Sequence, residues 1–258
     1  MSIRTIQVSG AGNTFNVVFE NDETKKISDR RQFVSSVCDA SKTDGFIFLN
    51  WLNESENKLT WDFYNNDGSA AEMCGNATRC VGFYMKNILK LKKNFYDLQT
   101  IAGLINIKIE NETTFEVRMT AIEKYDHASY FWCDTGVPHI VIEIDDFDAY
   151  LNLKEKCREL RFHSDFMPRG TNVTLISFLG VQSKLRAVSY ERGVEDFTQA
   201  CGTGAMAAAF YNLIKNNVVE TYVEMPGGTL KMNLQDLKNP TMSGEAHQIG
   251  EYVYDTKN

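Results

Sequence analysis

Two short segments of this chain each place a cysteine at the start of a glycine-containing turn that runs into a helix. The first is Glu72-Met73-Cys74-Gly75-Asn76-Ala77-Thr78-Arg79-Cys80, the second Gln199-Ala200-Cys201-Gly202-Thr203-Gly204-Ala205. The spacing downstream of the two cysteines also matches. Gly103, at a hairpin turn, comes 29 positions after Cys74, and Gly228, in the turn Pro226-Gly227-Gly228, comes 27 positions after Cys201. A long-period match constrains a fold more than any local propensity does. It predicts an α/β protein of the α+β type built from two structurally similar halves. Each half is a mixed or antiparallel sheet wrapped around a central helix, with the cysteine at the helix start. The expected division is 1–118 for the half carrying Cys74 and 119–248 for the half carrying Cys201, with the active site in the cleft between them.

The local patterns fill in that outline. Ile3–Val8 and Phe15–Phe19 read as strands around the turn Ser9-Gly10-Ala11-Gly12-Asn13. Ser28 is placed to cap a helix near Asp29–Asp39, whose Phe33, Val34 and Val37 share a face. Phe46–Trp51 and Leu59–Tyr64 are strand-like, the second leading into the turn Asn65-Asn66-Asp67-Gly68-Ser69. The helix after Cys74 carries Val81, Met85, Ile88 and Leu89 at helical spacing. Tyr96–Ile101 and the alternating Ile105, Ile107 and Ile109 describe a hairpin. The second half repeats the order, with a strand near Leu185–Tyr190, a helix over Gly204–Lys215, a strand at Thr221–Met225 and renewed alternation at Leu230 and Met232.

Composition narrows the function classes. The 258 residues are 43% hydrophobic and 24% charged, the balance of a soluble globular protein. The net charge of −7, without a Lys/Arg stripe, argues against nucleic acid and anionic membranes as partners. The most apolar helical stretch, Ala205 to Ile214, is about half a bilayer span, and the first residues lack the apolar run of a secretory signal. Six cysteines at irregular spacing do not form a disulfide framework, so a reducing cytoplasm is the expected location. Cys38, Cys80, Cys133 and Cys157 read as inert buried thiols. No zinc spacing is present, so no metal site is expected. Gly10-Ala11-Gly12 and Gly202-Thr203-Gly204 do not complete a nucleotide loop. Asp145-Asp146-Phe147-Asp148 reads as a solvated loop.

A thiol at a helix N-terminus lies in the positive end of the backbone dipole, which favours thiolate. Two such thiols on opposite sides of one carbon can invert it: one removes a proton while the other returns one, and no cofactor takes part. Reactive contacts of about 3–3.5 Å on each side set the sulfurs roughly 6–7 Å apart. Each thiol then needs a low pKa or an adjacent base. The free N–H groups of the same helix starts suit a substrate carboxylate, which Gly75 and Gly202 let the backbone approach.

The ordered motifs resemble the diaminopimelate epimerase family. Asn65-Asn66-Asp67-Gly68-Ser69 with Met73-Cys74-Gly75-Asn76 is similar to its first-half signature, and Glu191-Arg192-Gly193 with Ala200-Cys201-Gly202-Thr203-Gly204 to its second. Gly10-Ala11-Gly12-Asn13-Thr14-Phe15, Thr135-Gly136-Val137-Pro138-His139, Thr171-Asn172-Val173 and Pro226-Gly227-Gly228 stand in the expected order. The resemblance implies a cofactor-independent epimerase of lysine and peptidoglycan precursor synthesis. Cys74 and Cys201 would be its acid/base pair, and His139 and Glu191 the proton acceptors beside them. Asn13, Asn65, Asn76, Asn172, Glu191 and Arg192 would line the pocket, with Gly75, Asn76, Gly202 and Thr203 on the reacting carboxylate. It also implies a small amino-acid substrate, room for a homodimer, and a last strand near 249–258 that returns to the first half. Arg192 suits a bidentate carboxylate and Glu191 an ammonium. The chain departs from the family at Val137, where an Asn is usual, and at Phe48, read as replacing a pocket-closing Gln. Two alternatives stay open: a racemase of another amino acid, such as histidine, and a dithiol redox protein.

Overall fold

The computed structural model describes residues 2–122, 124–126 and 130–255. Along the chain run β1 (Ser2–Gly10), β2 (Asn13–Phe19), α1 (Arg30–Ser41), β3 (Gly45–Asn53), β4 (Lys58–Asn65), α2 (Gly75–Phe83), β5 (Phe95–Thr100), β6 (Gly103–Ile109) and β7 (Thr114–Arg118). Then come β8 (Lys124–Asp126), β9 (Phe131–Asp134), β10 (Pro138–Glu143), α3 (Lys154–Arg161), β11 (Asn172–Phe178), β12 (Lys184–Glu191) and β13 (Asp196–Phe197). The chain finishes with α4 (Gly202–Asn216), β14 (Glu220–Met225), β15 (Gly228–Asn233) and β16 (Thr241–Asp255). Two compact units result. One comprises Met1–Val117 and Gly244–Asn258, the other Arg118–Ser243. Residues 256–258, the end of the expected returning strand, lie outside the described residues.

In the first unit the strands follow the order β1-β2-β3-β4-β5-β6-β7, and β16 pairs with β1 along Ser2–Gly10. Ala11 and Gly12 both have positive φ (52° and 85°) and join β1 to β2 where Gly10 pairs with Asn13, a two-residue turn whose twist matches that of the strands. All nine residues of α2 are buried, which makes it the axis of this unit. A short π-helical segment, Tyr84–Ile88, continues it. The run Phe46-Ile47-Phe48-Leu49 of β3 is buried throughout because both faces of the strand are covered. Ile47 and Leu49 pack toward α2, while Phe46 and Phe48 pack with Phe33, Val34 and Val37 of α1.

That placement corrects two sequence expectations. Phe48 does not close a pocket: it belongs to the apolar layer under α1, with the Arg30 guanidinium 4.4 Å from its ring centre. The cap of α1 is Asp29, whose carboxylate accepts the Gln32 N–H at 3.0 Å, and not Ser28. Asp29 takes the role because its extended backbone turns the carboxylate onto the first helical turn.

The second unit has the strand order β15-β14-β12-β11-β10-β9-β8, with β13 on β12. It repeats the connectivity of the first. The parallel pair β2–β3, joined through α1, corresponds to the parallel pair β10–β11, joined through α3. The hairpin β5–β6 after α2 corresponds to β14–β15 after α4. Within α4, Gly204–Phe210 and Asn212 are buried, and the small Ala205, Ala207, Ala208 and Ala209 let the sheet approach closely. The helix α3, not anticipated from sequence, buries Cys157 and Leu160 against Val173, Leu175, Val188 and Tyr190.

The contact that seats α2 against β1 is tight. A Cβ at Gly10 would lie 2.8 Å from the Asn76 carbonyl oxygen and 3.1 Å from Cys80 Sγ. Gly10→Ala is expected to push the start of α2 off the strand and to destabilise the protein by about 1–3 kcal/mol. Urea denaturation measures the loss, and a midpoint equal to that of the parent protein would contradict the close approach.

Candidate active site

The sequence-predicted residues fall into two groups, one in each unit. In the first, Cys74 is the N-cap residue of α2, extended at φ −147° and ψ 122°, and half-buried. Its carbonyl accepts from the Thr78 N–H and hydroxyl, both at 2.9 Å. Asn76, on the first turn, donates from Nδ2 to Asn13 Oδ1 at 2.5 Å, while its own Oδ1 accepts from Arg79 Nη2 at 2.7 Å. That guanidinium fixes which way the Asn76 amide points. Arg79 is fully buried, so burial lowers its pKa, and the sulfurs of Cys80 and Cys74 work the other way. Gly75, Asn76 and Asn13 are thus brought together around the helix start. Asn65 is engaged in its own turn, donating from Nδ2 to Ser69 Oγ at 3.0 Å.

In the second unit Cys201 is the N-cap of α4, and its Sγ accepts the Gly204 N–H at 3.4 Å. Thr203 Oγ1 lies 3.3 Å from Sγ, and the Cys201 N–H donates to Met225 Sδ at 3.4 Å. His139 is completely buried. Its Nδ1 lies 2.9 Å from Thr174 Oγ1, its Nε2 3.0 Å from Thr203 Oγ1 and 3.4 Å from Asn172 Nδ2. Asn172 is the residue paired with His139 across the parallel β10–β11 ladder. Its Oδ1 accepts the Arg192 N–H at 2.8 Å, and Arg192 Nη1 donates to the Arg169 carbonyl at 3.1 Å. Glu191 accepts from the Thr198 hydroxyl and is also hydrogen-bonded to Cys201.

Burial sets the protonation states here. It pushes the Cys201 thiol well above the usual thiol range, and the nearby Glu191 charge pushes the same way. Bonds from Thr203, Gly204 and Ser189 oppose that without overcoming it. Of the low pKa or adjacent base that each thiol is expected to need, the first is not met at Cys201. A helix terminus contributes about 0.3–1 kcal/mol, rising to ~2, whereas full burial shifts a pKa by as much as 3–5 units. Burial likewise raises Glu191, against the bonds from Thr198 and Cys201. It lowers His139 to about 3, helped by the charge of Arg192. Cys157 is raised to about 12 by burial, and Cys38, Cys80 and Cys133 are raised by the same cause.

Thr174, Ser189, Thr198 and Arg79 joined these groups without being singled out from sequence. A signal existed for two of them. On β11 and β12 the outward Val173, Leu175, Val188 and Tyr190 alternate with Asn172, Thr174, Ser189 and Glu191. Buried strands with a polar residue at every second position carry a polar inner face whose groups must be hydrogen-bonded.

Among the described residues, no cluster of three or more His, Cys, Asp or Glu is disposed to hold a metal ion, and no helix is long and apolar enough to cross a membrane. The family model for diaminopimelate epimerase matches residues 5–125 and 131–249. A diaminopimelate epimerase of Aquifex aeolicus (strain VF5) is 33% identical, with 95% of each chain covered. Among solved structures, a phenazine biosynthesis protein of the PhzF family from Bacillus anthracis has a TM-score of 0.76 at 12% identity, covering 98% of this chain and 99% of its own. A hydroxyproline epimerase from Agrobacterium vitis, with bound trans-4-OH-L-proline, has a TM-score of 0.63 at 13% identity, covering 98% and 91%. At such identities the two structures share the fold alone. The match of sequence across nearly the whole chain goes further: this chain belongs to the diaminopimelate epimerase family and is an isomerase.

Proposed function

We propose that the protein interconverts LL- and meso-diaminopimelate by two-base proton transfer at Cα, without a cofactor, in the synthesis of lysine and peptidoglycan precursors. The observation that carries the reading is the repeat itself: each unit begins its central helix at a cysteine, followed by a glycine. Cys74 and Cys201 serve as the two acid/base groups. In the resting state Cys201 is a neutral thiol, and Glu191, raised by its own burial, is the base that takes its proton. His139, expected from the sequence as a proton acceptor, is instead given an orienting role: burial and the charge of Arg192 lower it to about 3, so it stays neutral and holds the site through hydrogen bonds. The first-turn N–H groups of α2 and α4, with Gly75, Asn76, Gly202 and Thr203, receive the reacting carboxylate and the charge that moves onto it. Asn13, Asn65, Asn172, Glu191 and Arg192 supply the remaining contacts to an amino acid.

Val137 favours a second reading, a racemase of another amino acid such as histidine, because it offers no polar group where the family usually has Asn. The dithiol redox alternative requires disulfide formation to accompany activity, whereas the epimerase works only with both thiols reduced. All these readings take a small molecule as partner, with a homodimer and a cytoplasmic location as further expectations.

Exchange of the α-hydrogen in deuterated water tests the substrate. Diaminopimelate should exchange, and exchange with another amino acid alone would overturn the leading reading. Cys74→Ser and Cys201→Ser should each slow racemisation by about 10²–10⁴-fold, the usual range for a lost acid/base group. Near-normal turnover in either variant would exclude the two-base assignment.

The buried His139 also gives a pH dependence of stability. Its folded pKa of about 3 lies below the ordinary 6.5, so the unfolded chain binds a proton that the folded one does not. Stability is then expected to fall as pH drops from about 6.5 toward 3, with a slope approaching about 1.4 kcal/mol per pH unit. Urea midpoints across that window in the parent and in His139→Asn measure it. An equal slope in both would show that His139 is not the group responsible.

A further inference from the structure

Arg161, the last residue of α3, is a buried cation with no part in the acid/base chemistry proposed for Cys201 and Glu191. Its guanidinium carbon lies 4.5 Å from the centre of the Phe162 ring. Its nitrogens converge on one carboxylate oxygen, Glu195 Oε1, with Nε at 3.3 Å and Nη2 at 3.2 Å. The Gly193 N–H donates to that same oxygen at 3.1 Å. The Glu195 N–H closes the turn by donating to the Glu191 carbonyl at 2.8 Å. Arg192 stands inside this turn.

Arg161 also meets the segment on which the Arg192 side chain rests. Its carbonyl accepts the Thr171 N–H at 3.4 Å. A Cβ at Gly170 would lie 2.0 Å from Arg161 Nη1 and 2.7 Å from the Arg161 carbonyl oxygen, so only glycine allows so close an approach. The residues on either side of that contact hold Arg192. The Arg169 carbonyl accepts from Arg192 Nη1 at 3.1 Å, and Asn172 Oδ1 accepts the Arg192 N–H at 2.8 Å. A guanidinium is a rigid fork of donors, so a bond from one nitrogen to a fixed carbonyl sets the direction of the whole group.

We propose that Arg161 and Glu195 are positioning residues for Arg192, joining the turn that carries it and the segment that supports its guanidinium into one seat for a substrate carboxylate. This rests on the role given to Arg192 as a contact to the amino-acid substrate. With the reacting carboxylate taken by the helix starts, Arg192 meets a second one, and its placement is felt in binding more than at Cα. Glu191 is held separately, by its pairing with Asp196 on β13 and by the Thr198 hydroxyl on its carboxylate.

Two observations favour this role over a tie that only closes the turn. Glu195 adopts φ 56°, a left-handed conformation that glycine takes freely and a long side chain does not. Turn geometry alone would select glycine, yet the chain keeps a carboxylate there. The repeat supplies the second. By strand register, Asn172, Val173 and Tyr190 correspond to Gly45, Phe46 and Tyr64, which sets Glu191 and Arg192 at the places of Asn65 and Asn66. The first unit's turn closes through side chains of its own. Asp67 Oδ1 accepts the Ser69 N–H at 2.8 Å and the Ser69 hydroxyl at 2.6 Å, and Asn65 Nδ2 donates to Ser69 Oγ at 3.0 Å.

Amide hydrogen exchange by NMR, on the full-length protein without substrate, reads the seat directly. Glu195→Gly removes the carboxylate at a φ that glycine takes freely, and Arg161→Met removes its partner. In each, the Arg192 and Gly193 amides should exchange about tenfold faster, the worth of one hydrogen bond, while Leu175 and Val188 keep their parent rates. Glu195→Gln, which keeps an acceptor, should restore the parent rates. In turnover, Glu195→Gly should raise KM for diaminopimelate about tenfold and leave kcat within about threefold. Unchanged Arg192 and Gly193 rates in Glu195→Gly would overturn the proposal, as would equal acceleration at Leu175 and Val188. So would a Glu195→Gln that behaves as Glu195→Gly, or a loss in kcat with KM unmoved. A parent protein that exchanges no α-hydrogen of diaminopimelate would instead sink the substrate reading, and the amide rates would still decide whether Arg161 and Glu195 hold Arg192.

Discussion

The start of a helix leaves four N–H groups without partners inside the helix, and both central helices of this chain start where little water reaches. Gly75 and Asn76 are buried, as are Cys201 and Gly204. Those N–H groups must be met by side chains or by a bound group. At α4 the Cys201 sulfur meets one of them, at Gly204. Cys74 occupies the same position on α2, but its side chain accepts none of the first-turn N–H groups. The remaining donors of each terminus give a carboxylate a ready site. The same burial that makes these donors valuable removes water from the thiol, and this decides its protonation.

From that constraint the roles around Cys201 separate. A deeply buried thiol resists ionisation, and in the proposed reaction a neighbouring carboxylate takes its proton. Glu191 is raised by its own burial, which brings it closer to the condition in which it can receive a proton. His139 is moved the other way and stays neutral, with both ring nitrogens engaged by hydroxyl groups.

Much of this was legible in the sequence because the repeat places glycines, cysteines and strand alternation at matched intervals. The hairpin β5–β6 and the helix α4 stand within two residues of their expected limits. The helix α3 escaped because its sequence, Lys-Glu-Lys-Cys-Arg-Glu-Leu-Arg, buries only Cys157, Leu160 and the stem of Arg161, too few apolar positions to show a periodicity. The sequence does not show that Phe48 lies under α1, because in a strand buried on both faces hydrophobicity does not say which face a residue takes, and only the parity fixed by pairing does. The inner-face hydroxyls were hidden for a related reason. Thr and Ser are ordinary strand residues, and their meaning depended on knowing that Val173 and Tyr190 point outward.

The two units are alike in backbone and unlike in what surrounds their cysteines, and the proposed reaction gives that difference a purpose. Inversion by two groups needs one face of the carbon to meet a base while the other meets an acid. A duplicated site with identical surroundings would set both groups to the same resting state. Here the first unit builds the ladder beside its helix from aromatic and aliphatic side chains, and places the fully buried Arg79 five residues after its cysteine. The second builds the same ladder from His139, Thr174 and Ser189, and sets Glu191 beside its cysteine. The apolar version is the one that packing alone would choose, because it leaves no buried polar group to satisfy. Retaining a polar version in one unit carries a cost in stability, and such departures concentrate where a chain has chemistry to perform.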